Sequence, residues 1–299
     1  MQIKKILFPT NFEHLSLKIV EELFVLKEAG LEEIVFLFVI DRDEVSFNLL
    51  RGFDKEYADE LSESARLRFL EWEERVQEAG LKASHVIEIG SPEGKILEVS
   101  CRENVDLIVA GRRRPMATDA IYLSGTTMGV LRRTAIPVMI YKSSLHNERM
   151  ESFKPPSFER VVLPTDFSDP ARCAYELVKG MKGVVKQVNI MNVLSERDFR
   201  KFTKQEIAME ESEAMTKMHD MVGELSTLGV VAKANIFAGN TVTETLGCQA
   251  DNDAGCIVMG TTGKHGIVEA WLGSASHRVA EQSPVTVILV PMNRDVCYM

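Results

Sequence analysis

"RVVLPTDFS", residues 160–168, reads as a buried strand that stops at a proline and turns past an acid. Val161-Val162-Leu163 is apolar without alternation, the pattern of a strand covered on both faces. The same phrase stands earlier as "KILFPTNF", residues 5–12, with Thr165 matching Thr10 at an offset of 155. A second match sets Leu107-Ile108-Val109-Ala110-Gly111 against Cys256-Ile257-Val258-Met259-Gly260, now at an offset of 149. Gly80 and Gly229, and Gly90 and Gly239, keep that second offset, so the later copy has lost six residues before Gly229 (155 against 149). A period of about 150 residues is domain-sized, which makes the chain a duplication and not a solenoid.

Between the copies, residues 143–157 are polar, lack periodicity and contain Pro155-Pro156, as a linker does. The expected division is a first domain over 1–146, a linker over 147–158 and a second domain over 159–299. Each copy alternates strand and helix. In the first, strands are expected at 3–8, 34–40, 83–89, 105–110 and 137–141. Helices fall over 15–29 and 55–79, from Pro92 onward, and over 125–134. The helix over 55–79 places Leu61, Ala65, Phe69, Trp72 and Val76 three or four apart and stops at Gly80. In the second copy the strands lie near 160–164, 186–193, 230–237, 255–259 and 285–290, and the helices near 169–180, 204–228, 241–252 and 275–282. Met215, Met218 and Met221 form a core stripe on the long helix. The fold class that follows is α/β: two tandem doubly wound, Rossmann-like domains, each with a five-stranded parallel sheet.

The 299 residues carry a formal charge of −9, which argues against nucleic acid and anionic membrane as partners. Five cysteines, at 101, 173, 248, 256 and 297, make no CxxC pair and are expected to be reduced thiols. The first residues, MQIKKILFPT, hold too short an apolar stretch for a signal segment, and no run approaches the roughly 20 apolar residues that span a bilayer. A cytoplasmic protein is the expectation.

In an open α/β sheet the ligand sits beyond the carboxyl ends of the strands, where the winding reverses. With the reversal between strands one and four, Pro164, Thr165 and Asp166 face "MGTTGKHGIVEAWLGSAS", residues 259–276, across one crevice. Glycines let a backbone approach a ligand and adopt positive φ, and consecutive N–H groups make an anion nest. Gly273-Ser274-Ala275-Ser276 opens a helix, where free N–H groups and the dipole favour an anion and the serine hydroxyls add donors. The loop by itself leaves two readings level: a phosphate cradle, or a plain strand-to-helix turn with Ser274 as N-cap.

Gly260-Thr261-Thr262-Gly263, nine residues from Lys264 to Leu272, then Gly273-Ser274 resembles the G-x-x-G-(nine)-G-[S/T] signature of the universal stress protein family. Val161–Ser168 resembles that family's opening strand with its Asp, and Ser283–Val290 its closing strand. The resemblance covers both copies, so the chain is similar to a tandem universal stress protein. It implies a bound adenine nucleotide (ATP, ADP or AMP). Magnesium could accompany a triphosphate, and no dedicated metal-ligand set stands in the sequence. Asp166, with Pro164 and Thr165, would contact the adenosine and Val193 the base; Met259, Gly260, Gly263, Gly273, Ser274, Ala275 and Ser276 would hold ribose and phosphates. It further implies pairing of Val138–Tyr141 with Val287–Val290 inside one chain as a pseudo-dimer, and a homodimer.

The first copy departs from the signature. Asn11 stands for the Asp, Arg114 for the second glycine, and Ser124-Gly125 for Gly-Ser. A weaker or different site there would draw on Thr10, Asn11, Val39, Gly111, Arg112, Arg114, Gly125, Thr126 and Thr127. The run Arg112-Arg113-Arg114 reads either as a solvated or interface run or as a direct grip on phosphate. Walker and PP-loop signatures are absent, and His14, His265 and His277 read as surface residues, so no catalytic residue is assigned. The function expected is a nucleotide-binding stress-response regulator. The alternatives are a slow ATP hydrolase or self-phosphorylating protein using the same pocket, and a non-binding scaffold.

Overall fold

A computed structural model describes residues 1–12, 17–42, 54–113, 122–141, 157–195, 202–263 and 272–292. The first half runs β1 (Lys5–Pro9), α1 (Leu17–Glu22), β2 (Glu33–Asp41), α2 (Lys55–Glu78), β3 (Lys82–Gly90), α3 (Pro92–Arg102), β4 (Leu107–Arg113), β5 (Tyr122–Leu123), α4 (Gly125–Arg133) and β6 (Val138–Tyr141). The second runs β7 (Arg160–Pro164), α5 (Asp169–Gly180), β8 (Gln187–Ser195), α6 (Lys204–Thr227), β9 (Val231–Gly239), α7 (Thr241–Asp251), β10 (Cys256–Gly260), α8 (Ser274–Gln282) and β11 (Thr286–Val290). Strand order is β3-β2-β1-β4-β6 in the first half and β9-β8-β7-β10-β11 in the second, with the short β5 added antiparallel to β4. Within each half the five main strands pair in parallel. Winding reverses between the first and fourth strands of each.

The fifth strands, β6 and β11, pair antiparallel with Ile288 opposite Met139, so the two sheets form one continuous array inside a single chain. Both joining strands are wholly buried, and the hydrophobic layers above and below the sheet each draw residues from both halves. Burying side chains of this size contributes roughly 1.5–3 kcal/mol apiece. With β6 and β11 interior, a homodimer would need some other surface. The halves also meet behind the sheet: Gly180 and Gly183, at and just past the end of α5, lie against the backbone carbonyls of Met1 and Glu28, where a Cβ would collide.

Helix boundaries follow from local chemistry. The Asp54 carboxylate accepts from the Tyr57 N–H to start α2, and Thr203 with Glu206 closes a capping box on α6. Ala65, Phe69, Trp72 and Val76 are buried on α2, and Met218 is buried on α6 with Met215 and Met221 packed beside it. The helix expected over 15–29 differs: only Leu17–Glu22 is α-helical, and Leu23–Ala29 tightens into a 3₁₀ helix. Leu23, Leu26 and Ala29 are all buried, and a spacing of three stacks them on one side only at three residues per turn.

Cys101, Cys248 and Cys256 are free, and burial pushes the Cys248 thiol up to about 11. Cys173 on α5 is disulfide-bonded, which corrects the expectation of reduced thiols throughout. Cys297, His14, His265 and residues 147–156 of the expected linker lie outside the described residues.

Candidate functional site

Each half opens a crevice at its switch point because one ladder ends early. β7 pairs with β8 through Pro164, but with β10 only at Val161 and Val162. β1 likewise pairs with β4 only at Ile6 and Leu7. Past those residues the strands part. In the second half the gap becomes a cavity of about 170 Å³ lined by Pro164, Thr165, Asp166, Val193, Met259, Gly260, Gly263, Gly273, Ala275 and Ser276. Met191, Ala171, Thr241 and Thr262 complete the wall.

The turn after β7 is built by its own side chains. The Thr165 N–H donates to the Met191 carbonyl (2.8 Å), and Asn192 Nδ2 donates to the Thr165 carbonyl (2.8 Å). The Phe167 N–H donates to Thr165 Oγ1, and Phe167 sits at φ 61°. This left-handed conformation is uncommon for a bulky residue and stores strain at the cavity lip. Phe12 repeats it at φ 64° after β1. The Asp166 carboxylate accepts from the Ser168 N–H (3.1 Å) and Oγ (2.6 Å), which fixes its direction.

The glycines serve close approach and not left-handed turns, since Gly260, Gly263 and Gly273 are not among the residues with positive φ. A Cβ on Gly263 would strike Asp166 Oδ2, so the glycine loop and the acid meet across the crevice. A Cβ on Gly260 would stand 2.8 Å from Pro170 and Ala171. That glycine therefore admits the first turn of α5.

At the start of α8 the N-cap is Gly273, with no side-chain cap. This corrects the reading of Ser274 as N-cap: Ser274 is the first helical residue, is exposed, and does not line the cavity. Ser276 corrects the expectation of a free donor, because its hydroxyl is directed at the carbonyls of Thr261 (2.6 Å) and Gly273 (2.9 Å). The capacity for an anion rests on the backbone. The first N–H groups of a helix have no intrahelical partner, and here no cap side chain covers them.

The first half has its own cavity, of about 210 Å³, lined by Thr10, Asn11, Val39, Gly111, Thr126 and Thr127 among others. Leu37, Pro92, Ile96 and Val130 make the remainder largely hydrocarbon. Gly125 is not on its wall, and a Cβ there would meet nothing within 4 Å. Ser124 caps α4: its Oγ accepts from the Thr127 N–H (3.1 Å) and lies 3.0 Å from Thr127 Oγ1. The helix start expected to receive an anion is thus partly satisfied by its own cap. Arg112 falls within β4, and Arg114 lies outside the described residues.

Sequence reasoning missed Met191, Thr241, Ala171 and Thr262. The signal was there: Met191 precedes Val193 by two on one strand face, and Thr241 follows the Asn240 cap at the top of α7. His277 pairs with Glu281 one turn along α8 (3.3 Å). No three His, Cys, Asp or Glu side chains converge as a metal site among the described residues, and no helix among them is long and apolar enough to cross a membrane.

Fold and site together define a tandem doubly wound α/β protein with a ligand-sized crevice in each half. The chain belongs to the universal stress protein family, whose sequence profile matches residues 2–142 and again 157–291. Among its relatives is the universal stress protein MJ0577 of Methanocaldococcus jannaschii, 28% identical over 153 residues, covering 46% of this chain and 94% of that one. The universal stress protein MJ0531 of the same organism is 28% identical over 142 residues, covering 44% and 82%. A universal stress protein from Archaeoglobus fulgidus has the same two-domain extent: 27% identity, 98% of both chains covered, TM-score 0.72. A protein of unknown function from Pseudomonas aeruginosa, PA1789, shares the fold at 14% identity and TM-score 0.64, over 99% of this chain and 95% of that one.

Proposed function

We propose that the chain is a cytoplasmic stress-response regulator that binds one adenine nucleotide, ATP or AMP, in its second half. The observation that carries this is the uncapped start of α8 at Gly273, beside the crevice where Gly263 meets Asp166. Backbone N–H groups at a helix start and a wall without Cβ atoms suit phosphate. Thr165, Val193 and Met191 offer an apolar and hydrogen-bonding wall of the kind a nucleoside needs. Phosphates would lie toward β10 and α8, and the nucleoside toward β7 and β8. Magnesium would arrive with a triphosphate. The first-half cavity, with Asn11 in place of Asp166 and Ser124 covering one N–H of its helix start, favours a less charged ligand.

The test is mass spectrometry of nucleotide released from the purified full chain, together with a thermal shift on adding ATP or AMP. Released adenine nucleotide, or a shift lost in Gly263→Arg, is the expected result. Absence of both from the wild type overturns the reading.

A further inference from the structure

The layer beneath the second-half cavity is polar where its first-half counterpart is apolar. Asn189 in β8 and Thr245 in α7 are fully buried. Nδ2 and Oδ1 of Asn189 and Oγ1 of Thr245 have no hydrogen-bond partner. Residues two apart on a strand share a face, so Asn189 lies under Met191 and Val193 on the cavity wall. Residues four apart on a helix share a face, so Thr245 lies one turn under Thr241, also on the wall. α7 packs on β8, so both residues belong to the layer between that helix and the sheet, below the wall positions Met191 and Thr241.

Strand register identifies the first-half counterparts. Val162 pairs with Asn189 as Leu7 pairs with Val35, and the 149-residue offset sets Ile96 against Thr245. Val35 and Ile96 are buried hydrocarbon, Ile96 also reaching the wall of its cavity. The wall above is matched in kind, Leu37 to Met191 and Val39 to Val193. Beneath that part of the wall both positions change from hydrocarbon to polar together, and on the helix side the wall itself changes from Pro92 to Thr241. Buried polar groups are almost always hydrogen-bonded. Three unmet ones below a cavity mark a place where a partner comes from outside the chain.

We propose that Asn189 and Thr245 form a polar subsite that holds an ordered water and, through it, the exocyclic amine of an adenine base lying against Met191 and Val193. This rests on the adenine-nucleotide reading of the cavity. An amide supplies a donor and an acceptor and a hydroxyl takes either role. The pair therefore anchors a water by two bonds and leaves it capacity for the ligand. The subsite lies on the β8 side, away from the glycines, and so acts on the base and not on the phosphates.

The experiment is calorimetric titration of the full chain and of Asn189→Val/Thr245→Ile, which copies the first half. The probes are ATP and purine riboside 5′-triphosphate, which lacks the amine. The wild type is expected to bind ATP about tenfold more tightly than the analogue. The double variant should bind both at the analogue's level. Equal wild-type affinity for the two, or an unchanged ATP preference in the variant, overturns the subsite and leaves the nucleotide reading standing. No binding of either probe by the wild type overturns both. Thr245→Val removes only the hydroxyl at nearly constant shape. Should the double variant not fold, it is expected to lose about threefold for ATP and nothing for the analogue; equal effects on both overturn the proposal.

Discussion

The two cavities occupy the same place in two copies of one fold, and a transposed dipeptide separates their chemistry. Ser124-Gly125 puts the hydroxyl at the N-cap, where it takes the Thr127 N–H. Gly273-Ser274 puts a glycine there and sends the serine side chain outward. Both helices begin at the mouth of a crevice, but a side chain covers one of the first N–H groups of α4 and none of those of α8. Cavity size does not rank the two as anion sites: the capped cavity is the larger, at about 210 Å³ against 170 Å³. Duplication kept the architecture and altered which backbone groups are available.

The comparison breaks most sharply at Gly263. Gly263→Arg, which copies Arg114, drives a side chain into Asp166 and should weaken ATP binding by at least about a hundredfold in calorimetry, with circular dichroism unchanged. Retained affinity would remove this loop from the site. Gly273→Ser transfers the first half's cap. Its Cβ would stand 3.2 Å from the Thr261 carbonyl, which must give by a few tenths of an ångström to admit it. The new hydroxyl should take an N–H of α8 and cost about tenfold in ATP affinity, while thermal stability holds or rises by a few tenths of a kcal/mol. A variant that binds as well as the wild type would show that capping does not distinguish the halves.

A smaller difference concerns pH. In the first half the sheet grips α3 through Glu88, which accepts from Arg102 (2.9 Å) and pairs with Lys95 (3.2 Å). The Arg102 guanidinium, with Lys95 beside it, holds the Glu88 carboxyl below its ordinary value. The matching position of the second half, at the 149-residue offset, is Phe237. A carboxyl depressed in the folded state stabilises above its unfolded pKa, and that stability is lost as pH falls through the folded one. Glu88→Gln should therefore be less stable than wild type near pH 7 by under about 1 kcal/mol, and the gap should close below about pH 4. Denaturant melts at neutral and acid pH measure it, and a gap that persists in acid would assign the loss to packing.

Much of this was legible in the sequence because it repeats. The phrase "KILFPTNF" against "RVVLPTDF" locates both first strands, and the glycine offsets place the rest to within a few residues. The pairing of β6 with β11, implied by family resemblance, forms with Met139 opposite Ile288. What escaped depends on neighbours distant in the chain. Gly260 reads as a ligand glycine but is demanded by Pro170 and Ala171, which enter only once α5 packs. Ser276 reads as a donor but is turned inward by the Thr261 carbonyl. Leu23–Ala29 satisfies a helical period, yet its buried residues Leu23, Leu26 and Ala29 fall three apart and the segment tightens. The unmet polar pair Asn189 and Thr245 shows only when β8 and α7 are laid together.

The central claim is that the second half of the duplicated fold binds a nucleotide and the first, lacking the acid and with its helix start partly covered, does not. Calorimetric titration of the full chain with ATP reads this as a stoichiometry. One site per chain, abolished by Gly263→Arg, is the predicted result. Two equivalent sites, or a single site that survives Gly263→Arg, would contradict it.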